Sequence, residues 1–498
     1  MRGFWTGVAG GGAFILVELL GRTLGGVPTV PELVQDRLVR VLPGPVFGFM
    51  LEHLLYLGKP LLFAGLLGAQ LILAGLGGLV VGRWGHPFAL SAALWLLTGG
   101  LLALLTGRGL FDGDVRVALD MLASFGAYAL ALVLFRTPPP GASTAAVAGA
   151  DRRRLVGGGV LLLASAVVAR RIVGILPSLP SAAPAPADDG TESPAGGGVM
   201  PPIPAGLPTL VTPPDAFYVV SKNLSDPEVD LGAWRLRVAG LVDHPLDLGY
   251  EDLLALPAVE TYRTLECISN EVGGDLMSNG RWTGLRLADL LERAGLQAGA
   301  ATIAFRSVDG YTETMALAQA LDPRSLLAYR LGGQPLPTKH GFPLRVLGAG
   351  TYGMKNPKWL TQIDVVASAE PGFWEQQGWD PDAPVQTMAR IDTPRDGATV
   401  PTEEITVGGV AFAADRGIQR VEVSTDGGAS WAEAQPLPSL GPSTWTFWQL
   451  TWRPQQPGQI SLTARATDGT GQVQTDRQMD TFPQGASGHH TIRVRVTA

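Results

Sequence analysis

The chain has 498 residues, of which 46% are hydrophobic and only 16% are charged. Globular domains carry about 25% charged residues, so this composition argues against a disordered chain and against one compact soluble domain. The formal charge of −7 is unevenly divided: residues 1–178 hold 14 basic and 8 acidic residues, net +6, which leaves 23 basic and 36 acidic residues, net −13. This balance excludes an ordinary nucleic-acid-binding protein.

The N-terminal third contains apolar segments long enough to cross a bilayer as helices. Residues 61–82 carry no charge, and His86 is the only ionisable side chain in residues 84–107. Weaker segments follow the same pattern: residues 4–20, 45–58 and 117–135. Together with residues 155–174 they predict a transmembrane domain of five or six helices over residues 1–176. The alternative is a set of core helices in a large soluble protein.

The last apolar segment, residues 155–174, directly follows Arg152, Arg153 and Arg154. This order resembles a twin-arginine export signal placed within the chain. Alternatively, the arginines hold one helix end in the cytoplasm, although the pair Arg170–Arg171 at the other end opposes that interpretation. Both interpretations predict that the following domain lies on the extracytoplasmic face of the membrane. The Ala164-Ser165-Ala166 triplet would permit cleavage, but we expect an uncleaved anchor.

Residues 177–208 contain nine prolines and no Lys or Arg, a composition typical of a linker. Short β-type segments interleaved with helical ones then predict an α+β domain over residues 209–389. The predicted strands are 234–241, 301–308, 344–347 and 361–366, and the predicted helices are 250–256, 287–294 and 315–320.

After residue 390 the helical pattern disappears, which predicts an all-β sandwich over residues 390–498. Its predicted strands are 404–412, 420–424, 444–452, 460–466 and 491–496. Turn signals such as Asp426-Gly427-Gly428 separate them.

Cys267 is the only cysteine, so it cannot form an intrachain disulfide or build a zinc or iron–sulfur site alone. It opens a loop rich in glycine and asparagine that ends near Gly280. A lone cysteine after an apolar strand is often a buried hydrophobic residue. Alternatively, its thiol serves as one metal ligand or one nucleophile.

A second cluster places glycines beside Arg345, Lys355 and Lys358. Glycine lets the backbone approach a ligand while the cationic side chains neutralise an anion such as phosphate. The alternative is a solvated basic loop.

Three motifs in this order are the most specific feature of the sequence. They are Cys267-x-x-Asn270 with Arg281-Trp282-x-Gly284, Gln334-Pro335-Leu336-Pro337 with His340-Gly341-Phe342-Pro343-x-Arg345, and Lys358-Trp359-Leu360. Together they resemble the sulfite oxidase family of molybdopterin-dependent oxidoreductases over residues 209–498. The final domain is similar to the immunoglobulin-like dimerisation domain of that family, which implies a homodimer.

The resemblance implies a molybdenum–molybdopterin cofactor with a single pterin, whose metal is bound by the thiolate of Cys267. It makes Cys267 and Tyr311 the catalytic residues. The cofactor-binding positions that it implies, besides Cys267, are Phe217, Tyr218, Asn223, His340, Arg345, Gly353, Met354 and Lys355. The arginines that sulfite oxidases place shortly after the cysteine are replaced by Glu271 and Val272, which puts sulfite as the substrate in question.

The sequence therefore predicts a membrane-anchored molybdenum oxidoreductase. It would exchange an oxygen atom with a small sulfur oxo compound, sulfite or a sulfoxide, and pass electrons to a separate carrier. A further hypothesis is a haem held by His53 and His86. The alternative is that both are ordinary interfacial histidines without a ligand. Two other functions stay open: a non-catalytic extracytoplasmic scaffold that keeps the fold, and a transporter with a sensory outer domain.

Overall fold

The computed structural model of the chain describes residues 2–25, 27–41, 58–106, 109–135, 203–223 and 226–497. These residues form two compact units. The first contains the N-terminal helices together with residues 222–223. The second contains residues 203–221 and 226–497.

The described part of the N-terminal unit contains five α-helices: α1 (Arg2–Gly25), α2 (Val30–Val41), α3 (Gly58–Trp84), α4 (Pro87–Thr106) and α5 (Val115–Leu134). All except α2 are long and apolar enough to cross a membrane. They coincide with the apolar segments predicted at 4–20, 61–82, 84–107 and 117–135. Residues 45–57 of the helix predicted at 45–58, among them His53, and the helix predicted at 155–174 lie outside the described residues. The helix count and the haem hypothesis therefore stay predictions.

The sequence pattern did not predict α2, because its residues mix charged and apolar side chains without a long apolar run. A capping arrangement starts this helix: Glu32 Oε2 accepts a hydrogen bond from Thr29 N at 2.7 Å. The Val30 N–H donates to Glu18 of α1 at 2.9 Å, and Gln70 of α3 donates to the same carboxyl group at 3.2 Å. These contacts give Glu18, an acid within an apolar helix, its partners.

The second unit begins with an α+β fold. Its strands are β1 (Leu236–Gly240), β2 (Leu246–Leu248), β3 (Val259–Glu266), β4 (Met277–Arg286), β5 (Thr302–Ser307), β6 (Thr312–Ala316), β7 (Leu326–Leu331), β8 (Gln334–Pro335), β9 (Arg345–Leu347) and β10 (Leu360–Val366). Its α-helices are α6 (Tyr250–Leu254), α7 (Leu287–Ala294) and α8 (Leu317–Ala320). One sheet has the order β2-β1-β10-β5-β6; the other has the order β3-β4-β7-β8, with β9 beside β7.

The α+β core forms where the apolar faces of these elements meet. In α7 the buried residues Leu287, Leu290, Leu291 and Ala294 recur with helical spacing and pack with sheet residues such as Phe305. The helix occupies the residues predicted for it. The helix predicted from residue 315 instead begins at residue 317, because residue 315 belongs to β6.

The C-terminal part of this unit is all-β. Its strands are β11 (Met388–Thr393), β12 (Thr399–Pro401), β13 (Ile405–Phe412), β14 (Ile418–Ser424), β15 (Ala432–Pro436), β16 (Thr446–Trp452), β17 (Gly458–Asp468) and β18 (His490–Thr497). They pair in the order β11-β13-β16-β15-β14-β17-β18-β12 and enclose a core that includes Val407, Val421, Trp448 and Leu462. The five strands predicted after residue 390 correspond to β13, β14, β16, β17 and β18.

Candidate functional site

The single cysteine follows β3 and begins the loop that leads into β4. Within this loop the Cys267 N–H donates to the Leu276 carbonyl at 2.9 Å. The Asn270 side chain accepts a hydrogen bond from Leu276 N at 2.9 Å and donates to Glu266 Oε1 at 2.8 Å. Asn270 therefore closes the loop, which gives the Cys-x-x-Asn motif a structural reason.

The all-β part holds the same loop from the other side. Arg390 of β11 donates to the Gly274 carbonyl, and the His490 imidazole of β18 lies directly against Gly273. Gly273 has φ +82°, and a Cβ there would lie 2.4 Å from the His490 ring. The loop after Cys267 is thus fixed by its own asparagine and by two side chains of the sandwich.

The Cys267 thiol is buried, with 8% exposure. Burial raises its pKa to about 11, an effect that the hydrogen bonds of Ser269 oppose and the nearby Glu266 reinforces. The thiol is consequently protonated at neutral pH unless a cation displaces its proton. Within the described parts of the chain no group of three or more His, Cys, Asp or Glu side chains could hold a metal. A metal at Cys267 would need its other donors from a bound group.

Phe217 and Tyr218 lie beside this loop. The Phe217 ring packs edge-on against Trp282 at 5.4 Å and against His340 at 5.5 Å between ring centroids. Burial raises the pKa of Tyr218 well above its ordinary value; Cys267 acts in the same direction, and the positive charge of Arg345 acts against it. Tyr218 therefore lies within electrostatic reach of both Cys267 and Arg345, which are far apart in sequence.

Asn223 does not belong to the unit that carries Cys267. It is half-buried and accepts a hydrogen bond from Lys222 Nζ at 2.9 Å. Its place at the site stays a prediction.

His340 and Arg345 form the basic side of the site. His340 Nε2 lies 2.9 Å from the Pro214 carbonyl, to which it donates as a neutral imidazole, because burial lowers its pKa to about 3. Arg345 is buried and donates to the carbonyls of His340 at 3.2 Å and Asn356 at 3.4 Å. Its Nε has no hydrogen-bond partner.

Burial lowers the pKa of Arg345 only to about 10, so the guanidinium is charged at neutral pH. Among the described residues no carboxylate pairs with it. A buried cation that contacts only neutral carbonyl groups needs an anion, and a phosphate supplies one with matching geometry.

Gly353, Met354 and Lys355 form a short 3-10 turn next to the Cys267 loop. A Cβ at Gly353 would lie 2.8 Å from the Tyr218 hydroxyl and 3.3 Å from the Glu266 carbonyl, so a larger residue there would have to displace the Tyr218 hydroxyl. The Lys355 ammonium, which the sequence analysis offered to an anionic ligand, is instead bound by two carboxylates: Lys355 is buried and pairs with Glu313 at 2.7 Å and Glu375 at 2.5 Å.

Tyr311 contacts both Glu313 and the 353–355 turn. Its hydroxyl lies 2.7 Å from the Met354 carbonyl and 3.1 Å from Glu313 Oε2. The sequence motifs do not point to Glu313 or Glu375. A signal for Glu313 existed, since it occupies a strand position two residues after Tyr311 and two before the buried Met315, where an acid is unexpected.

The second unit therefore brings Cys267, Tyr218, Gly353, Tyr311 and Arg345 into one connected region. A soft thiolate donor beside a buried cation without an acidic partner fits a metal carried by an anionic organic group.

Two family models match the chain. An oxidoreductase molybdopterin binding domain matches residues 223–374, and a bacterial Ig domain matches residues 388–494. They overlap the predicted domains at 209–389 and 390–498, whose bounds stay predictions.

Similar proteins cover the same part of the chain. The mitochondrial sulfite oxidase of Mus musculus is 31% identical over 316 residues, which are 53% of this chain and 57% of the mouse protein. The sulfite oxidase of Arabidopsis thaliana is 30% identical over 340 residues, which are 55% of this chain and 85% of the plant protein. The chain thus spans little more than half the length of its mouse relative.

A solved structure supports the fold. The sulfane dehydrogenase SoxCD from Paracoccus pantotrophus aligns with a TM-score of 0.51 at 22% identity and covers 57% of this chain and 81% of that one. Together with the family models, this similarity confirms the predicted fold class: apolar helices, then an α+β domain, then an immunoglobulin-like sandwich.

Proposed function

Because the chain belongs to the sulfite oxidase family of molybdopterin-dependent oxidoreductases, we propose that it is a membrane-anchored molybdenum oxidoreductase acting on a sulfur oxo compound. The observation that carries the proposal is the joint placement of the buried thiol of Cys267 and the buried guanidinium of Arg345 around Tyr218. A thiolate for a metal and a cation for a phosphate are the two protein groups that a metal–pterin needs.

The residues of the site divide the binding of this cofactor between them. Cys267 would bind molybdenum through sulfur, and Arg345 would neutralise the phosphate. Phe217, Tyr218 and His340 would line the pterin, with the backbone of residues 353–355 beside it. When bound, the cofactor exchanges an oxygen atom with the substrate and takes up or gives two electrons.

The protein's own groups prepare this chemistry. Cys267 would hold the metal as a thiolate and would lose its proton on binding, because a cation stabilises the thiolate that burial disfavours. Asn270 and Arg390 keep the loop in place. The Tyr311 hydroxyl, held by the Met354 carbonyl at 2.7 Å, is the group that hydrogen-bonds or protonates the reacting oxygen.

The choice of substrate depends on charge. The mouse and plant relatives are sulfite oxidases by name, which favours sulfite. In this chain the loop after Cys267 exposes Glu271 and Asp275, whose negative charges repel an anion and favour a neutral sulfoxide. We therefore propose a sulfur oxo substrate, which is either sulfite or a neutral sulfoxide.

The proposal also assigns a location. The four apolar helices would anchor the chain in a membrane, and the catalytic unit would lie on the extracytoplasmic face. Electrons would pass to a separate carrier, and the sandwich would form a homodimer. A haem held by His53 and His86 is the weaker hypothesis, because His86 precedes Pro87 at a helix boundary and His53 is next to Glu52, as ordinary interfacial histidines are.

Metal analysis of the detergent-purified full chain, produced in a host that makes the pterin, tests the proposal. We expect about one molybdenum per chain, at least a tenfold loss of it in Cys267→Ser, and a smaller loss in Arg345→Gln. The exposed Arg306→Gln is the matched control for Arg345→Gln and should keep the metal. The loaded protein is then assayed with sulfite and with a neutral sulfoxide to decide between the substrates.

Two results would contradict the proposal. The first is a Cys267→Ser protein that binds molybdenum as well as the wild type does. The second is a folded wild-type protein without molybdenum, which would instead support a non-catalytic extracytoplasmic scaffold.

A further inference from the structure

A buried cluster of four polar side chains lies next to the site. Lys355 Nζ binds Glu313 Oε1 at 2.7 Å and Glu375 Oε1 at 2.5 Å, and the Tyr311 hydroxyl lies 3.1 Å from Glu313 Oε2. The side chains of Lys355, Glu313 and Glu375 are at most 5% exposed. Two carboxylates and one ammonium would leave a net negative charge away from water, which one additional proton removes.

The hydrogen bonds of Tyr311 show where this proton lies. A phenol has one proton to donate, and the Met354 carbonyl at 2.7 Å can only accept it. The contact between the Tyr311 oxygen and Glu313 Oε2 is then a hydrogen bond only if Glu313 provides the proton.

The two oxygens of Glu313 differ in their partners. Oε1 accepts hydrogen bonds from Lys355 Nζ and, at 2.8 Å, from Thr314 N, which occupy both of its lone pairs. Oε2 lies 3.1 Å from the Tyr311 oxygen. The Glu313 carboxyl group also hydrogen-bonds with that of Glu375. Because both lone pairs of Oε1 are occupied, the proton of Glu313 belongs on Oε2, which faces the phenol oxygen.

Of the two acids, Glu375 is the one whose charged form is better stabilised by its surroundings. Besides Lys355, it accepts hydrogen bonds from Gly372 N at 2.7 Å and from Thr314 Oγ1 at 3.4 Å. Burial raises the pKa of Glu313 to about 8 although Lys355 opposes the shift. Burial acts against Glu375 as well, but its hydrogen bonds with Glu313 and Lys355 keep its pKa below the ordinary value.

We propose that Glu313 is a positioning residue that holds a proton for Tyr311. When the Tyr311 hydroxyl gives its proton to the reacting oxygen, Glu313 Oε2 gives its own to the Tyr311 oxygen. The negative charge then rests on Glu313, where the Lys355 ammonium pairs with it. The inference rests on the proposed function, because Tyr311 has a proton to give only if the site is catalytic.

The surroundings of Glu313 limit what else could titrate with it. The ionisable groups facing it are Tyr311 on the same strand, Lys355 of the 353–355 turn and Glu375 of the 375–377 turn. The neighbouring strand β5 places Phe305 opposite Glu313.

Infrared difference spectroscopy on the metal-free full chain tests the protonation directly. At pH 7 the wild type minus Glu313→Gln spectrum should contain the carbonyl stretch of a protonated carboxyl group, titrating near pH 8. In Glu375→Gln the same band should be absent at pH 7, because Glu313 then becomes the only counter-ion of Lys355. The exposed Glu251→Gln is the matched control and should change only carboxylate bands. A difference spectrum for Glu313 with carboxylate bands alone would overturn the inference.

The kinetic part uses the molybdenum-loaded enzyme. We expect Glu313→Gln to lower kcat roughly tenfold to a hundredfold with little change in KM, because the amide keeps the hydrogen bond but cannot give a proton. The decline of the wild-type kcat above about pH 8 should disappear in this variant. An unchanged kcat, or an alkaline decline that remains, would contradict the proton transfer.

The two proposals fail separately. Chains without molybdenum would end the proposed function, but the infrared result would still decide whether Glu313 is protonated.

Discussion

Burial sets the protonation states around Cys267, and it acts in opposite directions on acids and bases. It raises the pKa of Cys267 to about 11 and that of Glu313 to about 8, and it lowers that of His340 to about 3. These three groups are therefore neutral at pH 7, and the charge of Lys355 is balanced by the carboxylate of Glu375. Arg345 keeps an unbalanced positive charge, which directs an anion to one place in the site.

The raised pKa of Glu313 predicts a dependence of stability on pH. Between its ordinary value of 4.5 and about 8 the folded state binds a proton that the unfolded state releases. The stabilisation is therefore complete at low pH and is lost as the pH rises through about 8. His340 has the opposite sign: its lowered pKa makes stability fall as the pH drops below 6.5.

Glu313→Gln should therefore flatten the pH dependence between pH 7 and 8, where His340 no longer contributes. Between pH 7 and 8 the free energy of unfolding should fall in both proteins or in the wild type alone. We expect the fall to be about 1 kcal/mol larger in the wild type than in Glu313→Gln. Thermal unfolding at each pH, followed by tryptophan fluorescence, measures this free energy. Glu251→Gln should keep the wild-type slope, and equal slopes in all three proteins would refute the prediction.

At the scale of elements, the loop between β3 and β4 that begins at Cys267 is held in part by the C-terminal sandwich, a separate domain. Arg390 and His490 belong to the first and last long strands of the sandwich and contact Gly274 and Gly273. The sandwich therefore takes part in fixing the thiol, besides its proposed role in dimerisation.

Gly273→Ala tests this support. The alanine would have to adopt φ +82° and would displace the His490 ring, whereas Gly427→Ala meets the same backbone strain at φ +77° with no atom within 4 Å. The strain alone costs about 1 kcal/mol. We expect a larger loss of stability in Gly273→Ala and, only there, a several-fold loss of molybdenum on metal analysis. Equal effects of the two substitutions would show that the His490 contact is unimportant.

Elements with local patterns could be predicted from the sequence. The apolar spacing of Leu287, Leu290, Leu291 and Ala294 defines α7 correctly. The helix predicted from Met315 started too early, because Met315 pairs with Ile303 across β5 and β6 and so belongs to a strand. That pairing is a tertiary contact, which local spacing does not reveal.

The same distinction applies to the site. Cys267 and Arg345 could be predicted because motifs mark them. The partnership of Glu313 with Lys355 and Glu375 could not, because it joins residues 20 to 42 positions apart through side chains from a strand and two turns. Sequence alone offered the Lys355 ammonium to a ligand; the fold gives it to two acids.

At the scale of the whole molecule, charge separates the two halves. The basic balance of residues 1–178, net +6, accompanies four helices of membrane-spanning length, and the remainder is acidic, net −13. Basic segments that flank membrane spans are favoured on the cytoplasmic side. An acidic domain is not attracted to anionic lipid. The side of the membrane on which the catalytic unit lies stays a prediction.

The twin-arginine interpretation makes the last prediction. A domain that binds its cofactor at a buried thiol must fold around it before it crosses the membrane, and twin-arginine signals direct an export route. Arg152→Lys with Arg153→Lys should therefore leave the catalytic unit inside, protected from protease added to spheroplasts, whereas the wild type is digested. The matched control, Arg170→Lys with Arg171→Lys, also keeps every charge and should be exported. If the first pair of substitutions leaves export unchanged, positive charge alone orients the segment, as the positive-inside interpretation requires.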